Sequence, residues 1–487
     1  NKALLTGLVV PAPSTTHIAA FVSRSSPNKY TGTENYLPQL SYSRGYLNYA
    51  GTKDTRIVEL SKGANPPKAN MAQVDIVVTH LKSIIQRLSA ESTKHAYIKV
   101  SDVLDLSRMN TELRDLLIWE CYVLTATKGS PAGINHMIPE LKDCQTKHEV
   151  IVEIEEGNHS DEKKAAMKAS LISLAVAAFN NLNGDHFDAT SVPIYVYSKD
   201  DDAYKHTKLQ TGAHRNVAQP AWCYSVIDFL MTLHLYNPPG QVINGETLKD
   251  KFDKLTFFSM DTVLGYLRYS LSSPECRNNW TFGGNVFGEV IAFSEDASSS
   301  SNIFCYDVTQ WDRNVPRKLA KTLYCGLYSG KSTPSKTTDR IANNFCDAVN
   351  GGGTYIIDGE LFHLKKGGFS WCSGANKTLS GNTLMHCAIL SAAGVNNAIT
   401  MGDDGVALLQ DALHKDRLVK VFNDIGLQLK VEDMSVGKYD FCGLNVDVTS
   451  KTITVDVTKI INKRYARMSQ VRDDITSQKL AGDIRKA

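Results

Sequence analysis

The sequence lacks the patterns that mark zinc modules and strongly basic nucleic-acid-binding proteins. Its ten cysteines include no Cys-x-x-Cys pair and no Cys/His cluster, which argues against structural zinc and indicates a reducing compartment. The formal net charge of +2 excludes a global charge attraction to nucleic acid, so any binding of RNA or DNA depends on locally placed basic groups. Repeats, long linkers and a signal peptide are also absent from the sequence.

Long apolar runs are missing as well. The richest run, residues 171–179, is too short to cross a membrane and predicts a buried helix, so we expect no transmembrane segment. The 487 residues are too many for one simple core and predict two or three subdomains. Helical and strand patterns occur along the same chain, which predicts a mixed α/β (α+β) fold.

The sequence is organised around residues 401–405, Met-Gly-Asp-Asp-Gly, which lie between two short apolar runs. This pattern predicts a β-hairpin whose glycines supply the backbone dihedral angles that other residues resist. The tip would carry two adjacent carboxylates, Asp403 and Asp404, whose repulsion a hard divalent cation such as Mg²⁺ relieves. The same residues also form ordinary turns, so the segment alone leaves both interpretations open.

A second acidic segment lies upstream. An apolar strand pattern that begins at Ile303 ends in Asp307, and Asp312 follows five residues later. Asn314 and Pro316 then open a helix pattern. Asp307 either caps the turn after its strand or joins the carboxylates of the hairpin.

Two polar residues share one face of an otherwise apolar helix. A helical pattern runs from about Thr378 to Ala393, and Thr378 and Asn382 are four positions apart in it. They are either a satisfied polar pair in the core or a surface that faces a polar ligand.

Basic residues recur on both sides of a predicted turn at Gly212. They are Lys199, Lys205, Lys208 and Arg215. A solvated hairpin has the same composition. An array of lysine and arginine is also the kind of site that binds a triphosphate.

Further patterns follow the 401–405 hairpin. An amphipathic helix ends at Gly426, residues 427–431 alternate as a strand, and residues 441–446 begin another strand.

Taken in order, these segments resemble the palm and fingers of a viral RNA-dependent RNA polymerase. The segment from Asp307 to Asp312 resembles motif A, residues 373–383 resemble motif B, and Gly402-Asp403-Asp404 resembles motif C. The remaining similarities are residues 426–432 to motif D, Phe441-Cys442 to motif E, residues 199–215 to motif F, and residues 130–133 to motif G.

The resemblance covers roughly residues 127–446 and is closest to the tombusvirus- and nodavirus-like enzymes of positive-strand RNA viruses. One position departs from that group, because Ala375 stands where an acidic residue usually follows Ser-Gly. The resemblance implies a right-hand polymerase with fingers, a palm built on an antiparallel sheet, and a short thumb, since about 40 residues follow Val446. The expected divisions are an N-terminal extension with fingertips (1–126), fingers (127–300), palm (301–450) and the start of the thumb (451–487).

The resemblance also implies the roles of the site residues. Asp307 and Asp403, supported by Asp404, are expected to hold two Mg²⁺ or Mn²⁺ ions. Lys430 is the expected general acid for the departing pyrophosphate, with Lys438 as its rival. The triphosphate is expected to contact Lys199, Lys205, Lys208 and Arg215. The ribose is expected to be read by Asp312 and Asn382, with Ser373 and Thr378 in support and Gly374 giving the loop freedom to move with the template.

The implied function is template-directed RNA synthesis from NTPs, with an RNA template, a nascent strand and other viral replication or capsid proteins as partners. The implied location is a replication complex in the host cytoplasm, or the virion. Two alternatives remain, a reverse transcriptase and a non-catalytic RNA-binding protein with a polymerase-like palm. Asp312, Asn382 and Gly402 disfavour the first, and the intact aspartates disfavour the second.

Overall fold

The structure is a computed structural model. It describes residues 4, 6–15, 18, 21, 39–40, 46–48, 53–92, 109–127, 130, 132, 138–144, 146–198, 203–205, 215–233, 291–293, 302–329, 336–395, 398–409, 412–431, 438–447, 450, 452–455 and 457.

Helices occur along the whole described chain. They are α1 Lys53–Ser61, α2 Met71–Ser92, α3 Thr111–Thr125, α4 Lys147–Glu156, α5 Asp161–Leu182, α6 Trp222–Leu230, α7 Trp311–Asn314, α8 Arg317–Ser329, α9 Lys336–Asp347, α10 Thr378–Ala392 and α11 Ala412–Asp424. Short helical turns lie at Pro139–Leu141, Ala189–Ser191 and Ala348–Gly352.

The strands form mainly antiparallel sheets. They are β1 Val9–Pro11, β2 Gln39–Leu40, β3 Tyr46–Asn48, β4 Pro193–Ser198, β5 Ala203–Lys205, β6 Asn216–Pro220, β7 Ile291–Phe293, β8 Asn302–Thr309, β9 Thr354–Ile357, β10 Glu360–Leu364, β11 Ala398–Met401, β12 Asp404–Leu409, β13 Gln428–Val431, β14 Lys438–Phe441, β15 Leu444–Asp447 and β16 Thr452–Val455. The fold is therefore a mixture of helices and sheets, as the sequence patterns predicted.

Two five-stranded sheets carry most of the pairing. The first has the order β1-β10-β9-β4-β6, in which β4 and β9 are parallel and the other neighbours antiparallel. The second has the order β13-β8-β12-β11-β7 and is antiparallel throughout. Three-stranded sheets are formed by β14-β15-β16 and by β2-β3-β5. We call the second sheet the central sheet.

Helix α2 packs against both α8 and α10. Its approach to α8 is close because Gly326 has no side chain, and a Cβ at that position would lie 3.0 Å from Ile85 Cδ1. His80 Nδ1 and Ser391 Oγ, 2.9 Å apart, join α2 to the end of α10. Buried apolar side chains on these three helices hold α10 in place beside the central sheet.

A buried ion pair fixes the start of α10. Lys377 Nζ lies 3.6 Å from Asp228 Oδ2 on α6, and both side chains are almost completely inaccessible to solvent. Tyr328 on α8 donates a hydrogen bond of 2.5 Å to Asp228 Oδ1. Because a buried charge is costly without its partner, this cluster joins three helices at one point.

Helix α5 is longer than the apolar run that predicted it. Residues Asp161–Leu182 are the one described segment with the length and mean hydropathy, 1.3, of a membrane span, and 33% of that window is buried. Ser160 caps its first turn, and Leu171, Ala175 and Phe179 are buried. A core helix of a soluble protein has the same features, so the finding supports no transmembrane assignment.

Several local predictions are confirmed. The helix over Thr378–Ala392 is present, and α11 is followed by Gly426 with φ +90°. The strand predicted from residue 441, however, is interrupted at its start, because Cys442 and Gly443 form the turn between β14 and β15. Both turn residues have positive φ, 53° and 81°, as a two-residue hairpin requires.

Candidate active site

A row of charged residues crosses the central sheet. Asp307 on β8 is directly opposite Asp404, the first residue of β12. On its other side, Asp307 is opposite Lys430 of β13. Because opposed residues of antiparallel strands project from the same face, the register brings Lys430, Asp307 and Asp404 together on that face.

The turn next to this row is shorter than the Met-Gly-Asp-Asp-Gly segment that predicted the hairpin. Only Gly402 and Asp403 form the loop, since Met401 is already paired with Asp404. Gly402 has φ +62°, a conformation that favours glycine. Gly405 lies within β12 and has no positive φ. The prediction that Gly405 supplies a turn conformation was therefore wrong. Its lack of a side chain matters instead for packing inside the protein.

Gly405 makes room for two side chains behind the sheet. A Cβ at this position would lie 2.5 Å from Tyr306 Oη and 2.8 Å from His386 Cε1, both too close for any real side chain. Tyr306 and His386 thus take up the space that a residue other than glycine would need.

The carboxylates of the site repel one another. Crowding by surrounding protein atoms raises the pKa of Asp403 to about 7, and the charges of Asp404, Asp307 and Asp312 also raise it. The Asp403 side chain nevertheless reaches solvent at the tip of the turn. A cation placed at the turn would relieve this repulsion and favour the ionised carboxylate.

The chemistry of the donors fits a hard divalent cation. A cavity of about 200 Å³ is lined by Tyr306, Asp307, Asp404, Gly405, Asp440, Cys442 and Gly443. Carboxylate oxygens are the ligands that Mg²⁺ and Mn²⁺ prefer. Among the described residues, no group of three His, Cys, Asp or Glu side chains is close enough together to form a metal site. The residues therefore fit such a cation by their chemistry, whereas their spacing is wider than in a closed site.

Cys442 approaches the same carboxylates from the β14–β15 turn. Its Sγ lies 3.5 Å from Met401 Sδ. Burial raises the pKa of its thiol far above the usual range, and the charge of Asp404 and a hydrogen bond with that carboxylate raise it further. The thiol therefore stays protonated beside Asp404. The sequence pattern did not reveal this contact, because it depends on how two hairpins meet.

Asp312 and Asn382, the two residues expected to read the ribose, are not hydrogen-bonded to each other. Asp312 lies on the short helix α7, and burial raises the pKa of its carboxyl group while the charges of Arg313 and Arg215 lower it. Asn382 is 6% exposed, and its Oδ1 has no hydrogen-bond partner among the described residues. An unpaired buried amide oxygen is costly, so Asn382 is suited to accept a hydrogen bond from a ligand.

Strand β6 holds the loop before α10. Ser373 Oγ accepts a hydrogen bond of 3.1 Å from the Ala218 amide and donates one of 3.4 Å to the Asn216 carbonyl. The Gly374 amide donates to the Ala218 carbonyl at 2.6 Å, the same distance at which a Cβ on Gly374 would meet that oxygen. Gly374 thus permits a close approach of two backbones. The hydrogen bond holds the loop against β6, whereas the resemblance implied that the glycine lets the loop move.

Thr378 stabilises the same loop from within. Its hydroxyl donates to the Cys372 carbonyl at 2.7 Å and accepts from Trp371 Nε1 at 3.3 Å. Both hydrogen bonds are local, so Thr378 is placed to shape the loop beside Ser373 and has a satisfied hydroxyl.

The basic array is only partly described. Arg215 is exposed immediately before β6, and its charge acts on the Asp312 carboxyl group. Lys205 ends β5, where only the backbone is described. Lys199 and Lys208 lie outside the described residues. In the segment that resembles motif G, Ser130 and Ala132 are described, and the Ser130 carbonyl accepts the Lys147 amide at 3.0 Å.

The sequence patterns did not single out three side chains that lie behind the Gly402-Asp403 turn. They are Tyr306, Thr383 and His386. Tyr306 is hydrogen-bonded to His386, and both His386 and Thr383 are hydrogen-bonded to Gly402. Thr383 and His386 are polar positions in an apolar helix, the same signal that singled out Asn382. Applied to every turn of α10, that signal would have found them.

Comparison with known proteins agrees with this geometry. Residues 280–454 match the family model described as viral RNA-directed RNA polymerase. This segment includes the central-sheet strands β8, β11, β12 and β13, the Gly402-Asp403 turn and α10. A search of curated proteins found no match. The matched segment carries the carboxylates, and the match supports an RNA-directed RNA polymerase enzyme.

Proposed function

We propose that Asp307 and Asp403 form a two-cation centre that joins NTPs into RNA on an RNA template, with Asp404 in support. The observation that carries this proposal is the register of the central sheet, which sets Asp307 opposite Asp404 and next to the Gly402-Asp403 turn. Two divalent cations, Mg²⁺ or Mn²⁺, would supply stabilisation of the attacking and leaving oxygens when bound there. The carboxylates would bind and orient these cations, and the repulsion between the carboxylates favours a cationic ligand.

Lys430 is the proposed proton donor to the departing pyrophosphate. It is directly opposite Asp307 across β13 and β8, so it belongs to the row of charged residues. The rival, Lys438, lies 3.8 Å from Asp447 within the neighbouring sheet. An amine beside the reacting phosphates can act as a general acid, and the register favours Lys430 over Lys438 for this role.

Nucleotide recognition is proposed for a surface between α7, α10 and β6. Arg215 acts electrostatically on Asp312, which supports a common site for a phosphate-binding guanidinium and a sugar-binding carboxyl group. Asn382 contributes an unpaired buried oxygen to the same region. Ser373 holds β6 against the loop before α10 and so keeps Arg215 near these residues. Lys199, Lys205 and Lys208 are proposed to extend the triphosphate site.

The right-hand arrangement is part of the same proposal. We assign the central sheet and α10 to the palm, the helices α3 to α6 to the fingers, and β14 to β16 to the motif that supports the primer strand and leads into the thumb. The divisions 1–126, 127–300, 301–450 and 451–487 follow from this assignment. We also propose kinship with the tombusvirus- and nodavirus-like polymerases, a replication complex in the host cytoplasm or the virion as location, and other viral replication or capsid proteins as partners.

One assay tests the proposal against its alternatives. Purified protein is incubated with a self-annealing RNA, Mg²⁺ and either NTPs or dNTPs. Extension that needs the cation and NTPs is expected. Extension with dNTPs alone would instead indicate a reverse transcriptase, and binding of RNA without any extension would indicate a non-catalytic RNA-binding protein.

A further inference from the structure

His386 connects the strand and the turn that bear the proposed metal ligands Asp307 and Asp403. It lies on α10, has no exposed surface, and its ring sits between β8 and the Gly402-Asp403 turn. Tyr306 Oη is 2.7 Å from Nε2, and the Gly402 carbonyl oxygen is 3.0 Å from Nδ1. Tyr306 precedes Asp307 in the chain, and Gly402 precedes Asp403.

The partners determine where the protons lie. A carbonyl oxygen can only accept, so Nδ1 of His386 carries a hydrogen and donates it to Gly402. The remaining nitrogen of an uncharged imidazole accepts, so the hydroxyl of Tyr306 donates to Nε2. Burial lowers the pKa of His386 to about 4, which keeps the ring uncharged at neutral pH. The His386 side chain thus accepts a hydrogen bond from Tyr306, next to Asp307, and donates one to Gly402, next to Asp403.

The same helix holds Gly402 a second time. The Gly402 amide donates to Thr383 Oγ1 at 2.9 Å, and Thr383 in turn donates to the Leu379 carbonyl at 2.8 Å. Thr383 and His386 are three residues apart, so they lie on one face of α10. Both polar atoms of Gly402 are therefore bonded to side chains of one helix.

Packing leaves the imidazole a single orientation. Its centroid lies 5.6 Å from the ring of Trp311 and 5.8 Å from that of Phe422, the latter edge to face. The missing side chain of Gly405 provides the space for Cε1. Rings on two sides and a strand on the third prevent rotation about the Cβ–Cγ bond.

We propose that His386 is a positioning residue that holds the Asp403 turn in a fixed relation to the Asp307 strand and couples both to α10. It touches no reacting atom. Its effect passes through Gly402 and Tyr306, each one residue from a carboxylate. Since α10 also bears Asn382, a shift of the helix on nucleotide binding is transmitted to the turn. The inference rests on the proposed roles of Asp307, Asp403 and Asn382.

Replacements of His386 separate its two hydrogen bonds. His386→Asn keeps a donor near the position of Nδ1, whereas His386→Gln keeps a polar group near the position of Nε2. His386→Leu removes both. We expect kcat for nucleotide incorporation to fall on the order of 10²-fold in the leucine variant, since small displacements of reacting groups have effects of this size. The kcat of the asparagine variant should fall roughly tenfold, as expected for the loss of one hydrogen bond. The KM for NTP should stay unchanged in the leucine and the asparagine variants.

Ile389→Ala is the matched control. Ile389 is buried one helical turn beyond His386 and has no polar group to hold the turn. Its truncation should lower the unfolding temperature at least as far as His386→Leu does, while kcat stays within about twofold of wild type. Loss of kcat in proportion to thermal stability, equally in all four variants, would overturn the proposal and leave His386 an ordinary core residue.

A spectroscopic measurement is independent of activity. In protein labelled with ¹⁵N-histidine, one imidazole should show a protonated Nδ1 and a bare Nε2 at pH 7.5, the reverse of the tautomer that free histidine prefers. That signal should be missing in His386→Asn and altered in Tyr306→Phe. A protonated Nε2 on His386 would contradict the assigned hydrogen bonds. This signal requires no catalysis, so it tests the hydrogen bonds of His386 even if the proposed function is wrong. A fully active Asp403→Asn variant would show separately that the proposed function is wrong.

Discussion

Asp307 and Asp404 are directly opposite each other in the register of β8 and β12, although 97 positions separate them in the chain. Adjacent antiparallel strands hold such a pair more rigidly than loops would, because each residue is fixed by the ladder on both sides. The next residue toward the turn, Asp403, is then the only carboxylate of the three that lies on a loop. The site combines two carboxylates on strands with one that can adjust.

Asp403→Asn should abolish RNA synthesis without unfolding the protein. The substitution keeps the size of the side chain and removes the charge on which the proposed cation binding depends, so incorporation should fall by several orders of magnitude. Single-nucleotide extension and thermal denaturation measure the two effects. Asp416→Asn, an exposed carboxylate on α11, is the control and should remain fully active. Near-normal extension by folded Asp403→Asn protein would refute the assignment of this residue.

Asn382→Ala should weaken the preference for ribonucleotides. The unpaired Oδ1 of Asn382 is expected to accept a hydrogen bond from the 2′-OH, and a deoxynucleotide would leave it buried and unpaired at a cost of roughly 1–3 kcal/mol. That cost corresponds to about 5- to 150-fold discrimination. Incorporation of ATP and dATP on one template, by wild type and variant, gives the ratio. An unchanged ratio of ATP to dATP incorporation would show that other residues select the sugar. Ile389→Val is the control for small changes in the packing of the helix.

Asp228→Asn should destabilise the protein strongly. It leaves Lys377 buried beside an uncharged amide, and removal of one partner of a buried ion pair typically costs about 3–5 kcal/mol. Chemical denaturation measures the free energy of unfolding. Asp185→Asn provides the comparison, because the Asp185–Arg340 pair is exposed and its loss should cost less than about 1 kcal/mol. Equal effects of the two substitutions would show that the buried pair has no special importance.

His386 should make stability depend on pH below neutrality. Its pKa is about 4 in the folded protein, lower than the ordinary value of about 6.5 expected in the unfolded chain. The unfolded chain then binds the proton more readily, so the contribution is complete above about pH 6.5 and is lost as pH falls toward 4. Its size is on the order of 3 kcal/mol.

Denaturation at several pH values, in wild type and His386→Asn, isolates this contribution. The difference in unfolding free energy between the two proteins should shrink as the pH falls, since the variant has no imidazole to protonate. Parallel pH dependence in both proteins would show that other groups are responsible. Tyr306 is the titratable side chain hydrogen-bonded to this ring, and burial raises its pKa well above the range of the experiment.

The sequence was sufficient to predict features that depend on local order. The hairpin around Gly402 and Asp403, the helix with Asn382 and the strand with Asp307 all follow from short patterns of turn residues and apolar spacing. The helix end at Gly426 was also predictable, because a glycine with φ +90° is a common helix terminus.

Features that depend on contacts between distant segments were not predictable in this way. The position of Lys430 opposite Asp307 requires the register of two strands, and the reason for Gly405 requires knowing that Tyr306 and His386 meet behind it. Likewise, the Ser373 loop looked free to move until β6 was placed against it. A single sequence contains the polar side chains but does not state which of them will meet.

The first five-stranded sheet has a consequence for the order in which the chain can fold during synthesis. Val9 of β1 pairs with Leu364 of β10, and Pro193 of β4 pairs with Thr354 of β9. On the ribosome, the N-terminal strand must therefore wait until more than 350 further residues have been made before its partner exists. Such distant pairings close slowly, and the unpaired edges are exposed meanwhile. Expression at reduced temperature or with chaperones should accordingly raise the yield of folded protein more than changes to either terminus.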